Sequence, residues 1–255
     1  MAGIGPKGTN IPLWKRPVTI ITLALLLCSL IVIASSIFSP EGGYAPSADP
    51  HKTAIAAGKG APGSALEVLN GLAVAPEDRS QDYRREYFGK SWVDTDGNGC
   101  NTRNDILNRD LHNTTHVPGT CKVATGLLND PYTGRTLTFL RGDKTSAEVQ
   151  LDHVIALSNA WKTGASRLSE WQRIELANDP LNLLAVDGHS NQSKSNKDAA
   201  AWLPPNQDFR CPYVARQVSV KAKYGLWVTE DEKSAMLRVL RGCPQEPALS
   251  FSSGA

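Results

Sequence analysis

The first feature of the hydrophobic pattern is one long apolar run near the N-terminus. Residues 17–38 (PVTIITLALLLCSLIVIASSIF) contain no charged side chain and follow the three basic residues of segment 1–16. An apolar run of this length spans a bilayer as a helix, and the basic flank keeps the N-terminus in the cytoplasm. A cleaved signal peptide, with small residues near 45–48 as its cleavage zone, is the alternative. Both interpretations place residues 41–255 outside the cytoplasm.

The pattern changes after this run. Residues 39–63 are rich in Gly, Ala, Pro and Ser, a composition typical of a flexible linker, and residues 64–255 then alternate between helical and strand periodicity. Helices are predicted at 64–74, 169–179, 209–225 and 229–243, with a further helix opening near Asn191. Strands are predicted at 151–157, at 181–186 and, as a hairpin around NDPYTG, within 121–139. The segment HNTTH (112–116) is predicted to be a loop. The pattern therefore predicts one α+β domain with small β content.

Two of the predicted helices carry an N-terminal capping signature. Ser64 with Glu67, and Thr229 with Glu232, have the spacing of a capping box, in which two side chains satisfy backbone N–H groups reciprocally. These pairs predict that the first and last helices of the domain begin directly after Ser64 and Thr229.

Four cysteines lie outside the apolar run. They are Cys100, Cys121, Cys211 and Cys243. None belongs to a C-x-x-C pair, which argues against a zinc knuckle, and an even number in an exported chain indicates disulfides. Three connectivities are open, and we predict the sequence-local pairs Cys100–Cys121 and Cys211–Cys243.

Charge gives no support for a general nucleic-acid-binding surface. The whole chain carries a net charge of +2, but three basic residues and no acidic residue precede residue 41. The exported part therefore holds 24 basic and 25 acidic residues. A role on nucleic acid has to rest on a local site rather than on bulk charge.

The segment DTDGNGCNTRND (94–105) resembles a calcium loop in its spacing. Its candidate oxygen ligands stand at positions 1, 3, 5 and 12 of the pattern: Asp94, Asp96, Asn98 and Asp105. Gly99 occupies the position of the sharp turn, although the last ligand is usually a bidentate Glu. The alternative is a Gly-rich turn followed by a helix capped by Thr102. A structural Ca²⁺ ion is thus one expectation for this loop.

A second constellation is suited to phosphodiester hydrolysis. Asp152 and His153 are neighbours on a predicted strand, so their side chains point to opposite faces. Asp152 and Asn191 offer the hard oxygen ligands that Mg²⁺ prefers. A neutral His153 can accept a proton from an attacking water. Lys194, one helical turn after Asn191, is expected to meet a phosphate oxygen as a point charge.

These residues resemble the HNH, or ββα-metal, endonucleases. The resemblance rests on Asp152-His153, on Asn182 nine residues before Asn191, and on Lys194 three residues beyond it. The chain is most similar to an exported bacterial branch related to the C-terminal domain of GmrSD-type restriction enzymes, over about residues 80–243. The matching segments are FGKSWVDTDGNGCNTRNDIL, DPYTGRTLTF, LDHVIAL, NDPLNLLAV, NQSKSNKDAAAWLPP and CPYVARQVSVKAKYGL.

The resemblance implies a fold and a set of roles. It implies a small ββα-metal (His-Me finger) core embedded in helices, with Asp152 and Asn191 as ligands of one metal ion and His153 as general base. Asn182 would be structural, tying the hairpin to the turn before the helix. The family often has His at the position of Asn191, and Asn there favours Mg²⁺ or Mn²⁺ over zinc.

Two further residues are assigned less definite roles. His189 lies in the predicted site loop, where it either touches substrate or metal or is simply solvated. The family position of Arg103 implies a phosphate contact or a structural contact, and the alternative is a helix-start residue paired with an acid.

The function that follows from the resemblance is metal-dependent cleavage of DNA, with RNA as a second candidate, leaving 5′ phosphate. We expect a monomer that contacts the membrane through residues 17–38 if this segment is retained. Three alternatives stay open on the sequence: a catalytically silent extracellular binding module, a phosphodiesterase acting on a non-nucleic-acid substrate, and a toxin delivered to competing cells.

Overall fold

The computed structural model describes residues 60–249. The predicted anchor or signal segment at 17–38 and most of the predicted linker lie outside the described residues. Within residues 60–249, no helix is both long enough and apolar enough to cross a membrane.

Helices outweigh strands in the described residues. The α-helices, labelled in chain order, are α1 (Ala65–Gly71), α2 (Thr102–Asp110), α3 (Leu157–Lys162), α4 (Glu170–Asn178), α5 (Gly188–Lys194), α6 (Arg210–Lys223) and α7 (Glu230–Leu240). Short 3₁₀ helices occur at Arg85–Phe88, Thr145–Ala147, Ala165–Arg167 and Gln207–Phe209. The predicted helices at 169–179, 209–225 and 229–243 are confirmed within a few residues at each end.

The strands of the described residues form two small antiparallel sheets. Strands β1 (Leu111–His116), β2 (Val123–Asn129) and β3 (Thr136–Leu140) form the first sheet in that order, and β4 (Val149–His153) pairs with β5 (Leu183–Asp187) in the second. The hairpin predicted around NDPYTG is β2–β3. The mixed α+β class is therefore confirmed.

Several predicted boundaries were wrong, for identifiable reasons. HNTTH is not a loop, because it lies in β1 and pairs with β2. The strand predicted at 151–157 ends at His153. The Val154 N–H still bonds to the Asn182 carbonyl oxygen, but the Ile155 N–H bonds to the Asn182 side chain, so the backbone ladder stops there. Helix α5 begins before Asn191, because Asp187 caps it by accepting a hydrogen bond from the Ser190 N–H.

The predicted N-cap residues of α1 and α7 are in place, but neither predicted capping box forms, and the Glu232 carboxylate bonds to Lys221 instead. Ser64 and Thr229 cap α1 and α7 by accepting from the N–H groups of Glu67 and Glu232. The Glu67 carboxylate accepts from the Gly63 N–H rather than from that of Ser64, so the first box is shifted by one residue. Asn101, rather than Thr102, is the N-cap of α2.

Strand β5 lies at the centre of the domain, and all five of its residues are buried. Leu184 and Val186 pack in the cluster that contains α1, α6 and α7, whereas Leu183 and Ala185 pack with α2 and the three-stranded sheet. Burial on both faces explains why residues 183–186 (LLAV) are continuously apolar rather than alternating. The strand that leads into α5 is therefore fixed from both sides.

Two disulfides brace the described domain. Cys100 pairs with Cys121, which joins the 94–105 loop to the start of β2, and Cys211 pairs with Cys243, which joins α6 to the residues after α7. The predicted sequence-local pairing is confirmed.

Candidate functional site

The candidate site is built on a strand–strand–helix unit. Strand β4 pairs antiparallel with β5, placing Asp152 opposite Leu184 and His153 opposite Leu183, and β5 continues directly into α5. Helix α5 begins at Gly188, which packs against the segment leading into β4; an added Cβ there would lie 2.2 Å from the Ala147 carbonyl oxygen. Only glycine permits this approach, so Gly188 sets the distance between β4 and the helix that carries Asn191.

Asp152 is buried and held by two donors. Its Oδ1 accepts a hydrogen bond from Lys194 Nζ at 2.9 Å, and its Oδ2 accepts one from the Tyr132 hydroxyl at 2.5 Å. Burial raises the pKa of the Asp152 carboxyl, and Lys194 and Tyr132 oppose that rise. Burial, together with the Asp152 charge, also raises the pKa of Tyr132 well above its ordinary value, so Tyr132 remains a proton donor.

Lys194 differs from its predicted role. Its side chain is fully buried, and its ammonium donates to Asp152 and, at 2.8 Å, to the His153 carbonyl oxygen. A lysine expected to meet a phosphate should present its ammonium to the cleft. In the structure Lys194 instead fixes the carboxylate and the backbone at the end of β4, because burying a carboxylate is costly without a cationic partner.

His153 is oriented by one hydrogen bond and one aromatic contact. Its Nε2 lies 2.8 Å from the Ala177 carbonyl oxygen, and because a carbonyl only accepts, Nε2 carries the proton. The ring stacks on Trp92 with centroids 6.1 Å apart. Burial lowers the pKa of His153 to about 4, and the charges of Arg85 and Lys194 act in the same direction against the bond to Ala177. The imidazole is therefore neutral at pH 7, with Nδ1 as its acceptor.

A cleft of about 290 Å³ brings the predicted site residues together. Its walls include Asp152, His153 and Asn191. The Asn191 amide nitrogen donates to Gln150 at 2.9 Å, while its carbonyl oxygen accepts no hydrogen bond within the described residues. The cleft thus contains a carboxylate, a neutral imidazole and an unpaired amide oxygen.

Asn182 is a structural residue of this site. It is fully buried, its Oδ1 accepts from the Ile155 N–H at 2.8 Å, and its Nδ2 donates to the carbonyl oxygens of Leu176 and Ile155. It thereby ties the chain after β4 to the end of α4. The contact resembles the tie expected from the sequence.

The remaining predicted residues lie outside the cleft wall. His189 is exposed on α5, and Arg103 is half-buried near the start of α2. Burial and the neighbouring Arg141 lower the pKa of Arg103, and no carboxylate pairs with it in residues 60–249. The alternative prediction, in which Arg103 pairs with an acidic residue, is therefore wrong for the described residues.

The 94–105 loop brings its predicted ligands close to one another. Asp94 accepts from the N–H groups of Gly97 and Gly99, and the Asn98 side chain donates to both Asp96 and Asp105. Burial, the Asp96 charge and the Asp94 charge raise the pKa of Asp105. The calcium assignment stays a prediction.

Three site residues were missed by the sequence analysis: Arg85, Trp92 and Tyr132. Tyr132 lies in NDPYTG, which carried only a turn signal, and Trp92 lies in a segment without periodicity. Arg85 lines the cleft from the 3₁₀ helix Arg85–Phe88, about seventy positions before His153. Nothing in the sequence distinguishes Arg85 from its neighbour Arg84; only the packing in the structure does.

The cleft's donor set suits a hard cation. No group of three or more His, Cys, Asp or Glu side chains in residues 60–249 has an arrangement that would hold a metal ion. Asp152 retains lone pairs beyond the two hydrogen bonds it accepts, and Asn191 offers a free carbonyl oxygen. One carboxylate and one amide oxygen fit Mg²⁺, which keeps several waters, better than zinc.

Comparison with known proteins adds the family. The family described as GmrSD restriction endonucleases, C-terminal domain, matches residues 101–239, which is more than half of the chain. A protein of Arthroderma benhamiae, described as an uncharacterized secreted protein, is 38% identical over 182 residues, covering 71% of this chain and 85% of that protein. No solved structure matches the chain. The chain therefore belongs to the family of GmrSD restriction endonuclease C-terminal domains, which indicates a nuclease-related function.

Proposed function

We propose that this protein is a metal-dependent endonuclease that hydrolyses phosphodiester bonds in DNA, and in RNA as a second substrate. The observation that carries the proposal is the cleft that contains Asp152, neutral His153 and Asn191 together. The β4–β5–α5 unit supports a ββα-metal core, since two antiparallel strands run directly into the helix that bears Asn191.

His153 is the general base of the proposed reaction. The bond from Nε2–H to Ala177 fixes the tautomer, so Nδ1 accepts a proton from the water that attacks phosphorus. The new P–O bond forms as the bond to the leaving 3′ oxygen breaks, giving a 5′ phosphate. Trp92 keeps the ring from rotating, and the low pKa of His153 keeps the base unprotonated at neutral pH.

Asp152 and Asn191 would hold one Mg²⁺ or Mn²⁺ ion. Such a cation, when bound, supplies charge neutralisation for the phosphate and for the departing oxygen. Lys194 and Tyr132 position the Asp152 carboxylate and restrict its rotation. In this proposal Lys194 holds the Asp152 carboxylate from the buried side of the site and does not contact the substrate.

Two observations support action outside the cytoplasm. The Arthroderma benhamiae relative is described as secreted. Two disulfides are typical of oxidising compartments. We propose an exported enzyme, either retained on the membrane by residues 17–38 or released after cleavage.

Cleavage assays of the full-length, disulfide-bonded chain test the function. Supercoiled plasmid, a DNA oligonucleotide, an RNA oligonucleotide and bis(p-nitrophenyl) phosphate are each incubated with Mg²⁺, Mn²⁺ or EDTA. Metal-dependent nicking of the plasmid, with ligatable 5′ phosphate ends, supports the proposal. Hydrolysis of the small diester alone would assign a different substrate class, and nicking that persists in EDTA would overturn the metal requirement.

A further inference from the structure

The cleft wall carries one cationic side chain that has no ion-pair partner among the described residues. Arg85 lines the same cleft as His153 and Asn191. It forms no ion pair within the described residues, and its one hydrogen bond, to the Gly89 carbonyl oxygen, is long at 3.4 Å. Lys194, in contrast, forms an ion pair with Asp152. Arg85 is thus the guanidinium available to an anion in the cleft.

The backbone that carries Arg85 is fixed to the same helix that orients His153. Helix α4 presents the Ala177 carbonyl to His153 and, one turn earlier, Arg173, whose Nε donates to the Tyr87 carbonyl at 2.8 Å. Gly89, which follows the 3₁₀ helix, packs so closely on α4 that an added Cβ would lie 2.7 Å from Ile174. Helix α4 therefore sets the position of Arg85 relative to the base.

Aromatic packing anchors the same segment. Phe88 is fully buried in the apolar cluster of α3 and α4, and Tyr87 stacks on Trp161 with centroids 4.8 Å apart. A short segment held at its backbone and at two aromatic side chains is preorganised, so little backbone freedom is lost when its arginine binds an anion.

We propose that Arg85 binds the scissile phosphate in this cleft, taking the phosphate-contact role that the sequence assigned to Lys194. The inference rests on the proposed function and names its phosphate-binding residue. A guanidinium presents two parallel N–H groups to two non-bridging oxygens, and this pairing strengthens as negative charge grows during water attack. Asp152 is already paired, so Arg85 meets no competing unpaired carboxylate on the cleft wall.

Arg84 provides a matched control. It precedes Arg85 in the chain, is exposed, and makes no side-chain cap bond to the 3₁₀ helix. Arg84→Ala and Arg85→Ala remove the same charge from adjacent positions, so a general loss of nucleic-acid attraction affects both. Only a specific contact in the cleft separates them.

The experiment measures kcat and KM for Mg²⁺-dependent plasmid nicking by the full-length wild type, Arg84→Ala, Arg85→Ala and Arg85→Lys. Arg85→Ala is expected to lower kcat about a hundredfold, Arg85→Lys to recover part of it, and Arg84→Ala to stay within about twofold. Free guanidinium is expected to restore part of the Arg85→Ala rate, which a purely structural defect would not allow.

The outcomes separate the two proposals. A wild type that does not nick nucleic acid overturns the proposed function and this inference with it. A wild type that nicks with metal, while Arg85→Ala matches Arg84→Ala, overturns the role of Arg85 alone. A folded Arg85→Ala protein whose rate is low but does not respond to guanidinium, and which Arg85→Lys does not improve, also overturns it.

Discussion

Replacing Lys194 with methionine tests whether this lysine stabilises the site from within. Methionine keeps an unbranched apolar stem and removes the ammonium. The side chain of Lys194 is 0% exposed and that of Asp152 is 5% exposed, so the variant leaves a buried carboxylate with only Tyr132 as donor. Removing one partner of a buried ion pair costs about 3–5 kcal/mol, out of about 5–15 kcal/mol for a typical domain.

Urea unfolding of the full-length oxidised protein measures this cost, with Lys197→Met as the control. Lys197 is exposed and donates only to the Ser193 carbonyl, so its removal should change the unfolding free energy by about 0.5 kcal/mol or less. Asp152→Asn combined with Lys194→Met should be less destabilised than Lys194→Met alone, because a neutral amide needs no cation.

The cost should also depend on pH. Lys194 stabilises the ionised form of Asp152, so its contribution is present above the pKa of Asp152 and is lost as this carboxyl becomes protonated. Lys194→Met should therefore differ less from wild type in acid than at neutral pH. If Lys194→Met unfolds like Lys197→Met at neutral pH, the buried pair is not formed and Lys194 is free to face a phosphate, as the sequence alone suggested.

Three further predictions concern the rest of the domain. The pKa of His153 is lowered to about 4 from its ordinary value of 6.5, so the unfolded chain takes up a proton first as pH falls. The unfolding free energy of wild type, measured by urea titration, should therefore drop as pH falls between these two values, and that of His153→Gln should change less. Equal pH dependence of the two unfolding free energies would contradict the burial of the ring. Removing the Cys211–Cys243 disulfide, which closes a loop with a sequence separation of 32, should cost about 3–4 kcal/mol by urea unfolding, whereas a loss below about 1 kcal/mol would refute its stabilising role. Millimolar Ca²⁺ should raise the Tm of wild type but not of Asp94→Asn if the 94–105 loop binds calcium, and identical shifts by calorimetry would rule that loop out.

The sequence predicted those parts of the fold that depend on local pattern. Helices α4, α6 and α7 have helical periodicity, α4 and α7 also begin at side-chain caps, and the β2–β3 hairpin surrounds a strong turn signal. The cysteine pairing followed from proximity along the chain. Strand β1 was missed because HNTTH has polar side chains and little burial, and its strand form depends on pairing with β2, which is a non-local effect.

Part of the cleft's lining was predictable from the sequence, but its internal contacts were not. Asp152, His153 and Asn191 were identified by order and spacing, and they do share one cleft. The fate of Lys194 could not be predicted, because whether a lysine faces solvent or a buried carboxylate depends on the packing of α5 against β4. Arg85 reaches the cleft through contacts with α4 that leave no local pattern in the sequence.

Plasmid nicking by His153→Ala beside His112→Ala tests the central claim most directly. His112 is exposed on β1, so its removal controls for the loss of an imidazole, and urea unfolding verifies that both variants are folded. The account predicts Mg²⁺-dependent nicking by wild type and His112→Ala, and a rate about 10²–10⁴-fold lower for His153→Ala. Nicking by folded His153→Ala at the wild-type rate would contradict the assignment of His153 as the general base and of this cleft as the active site.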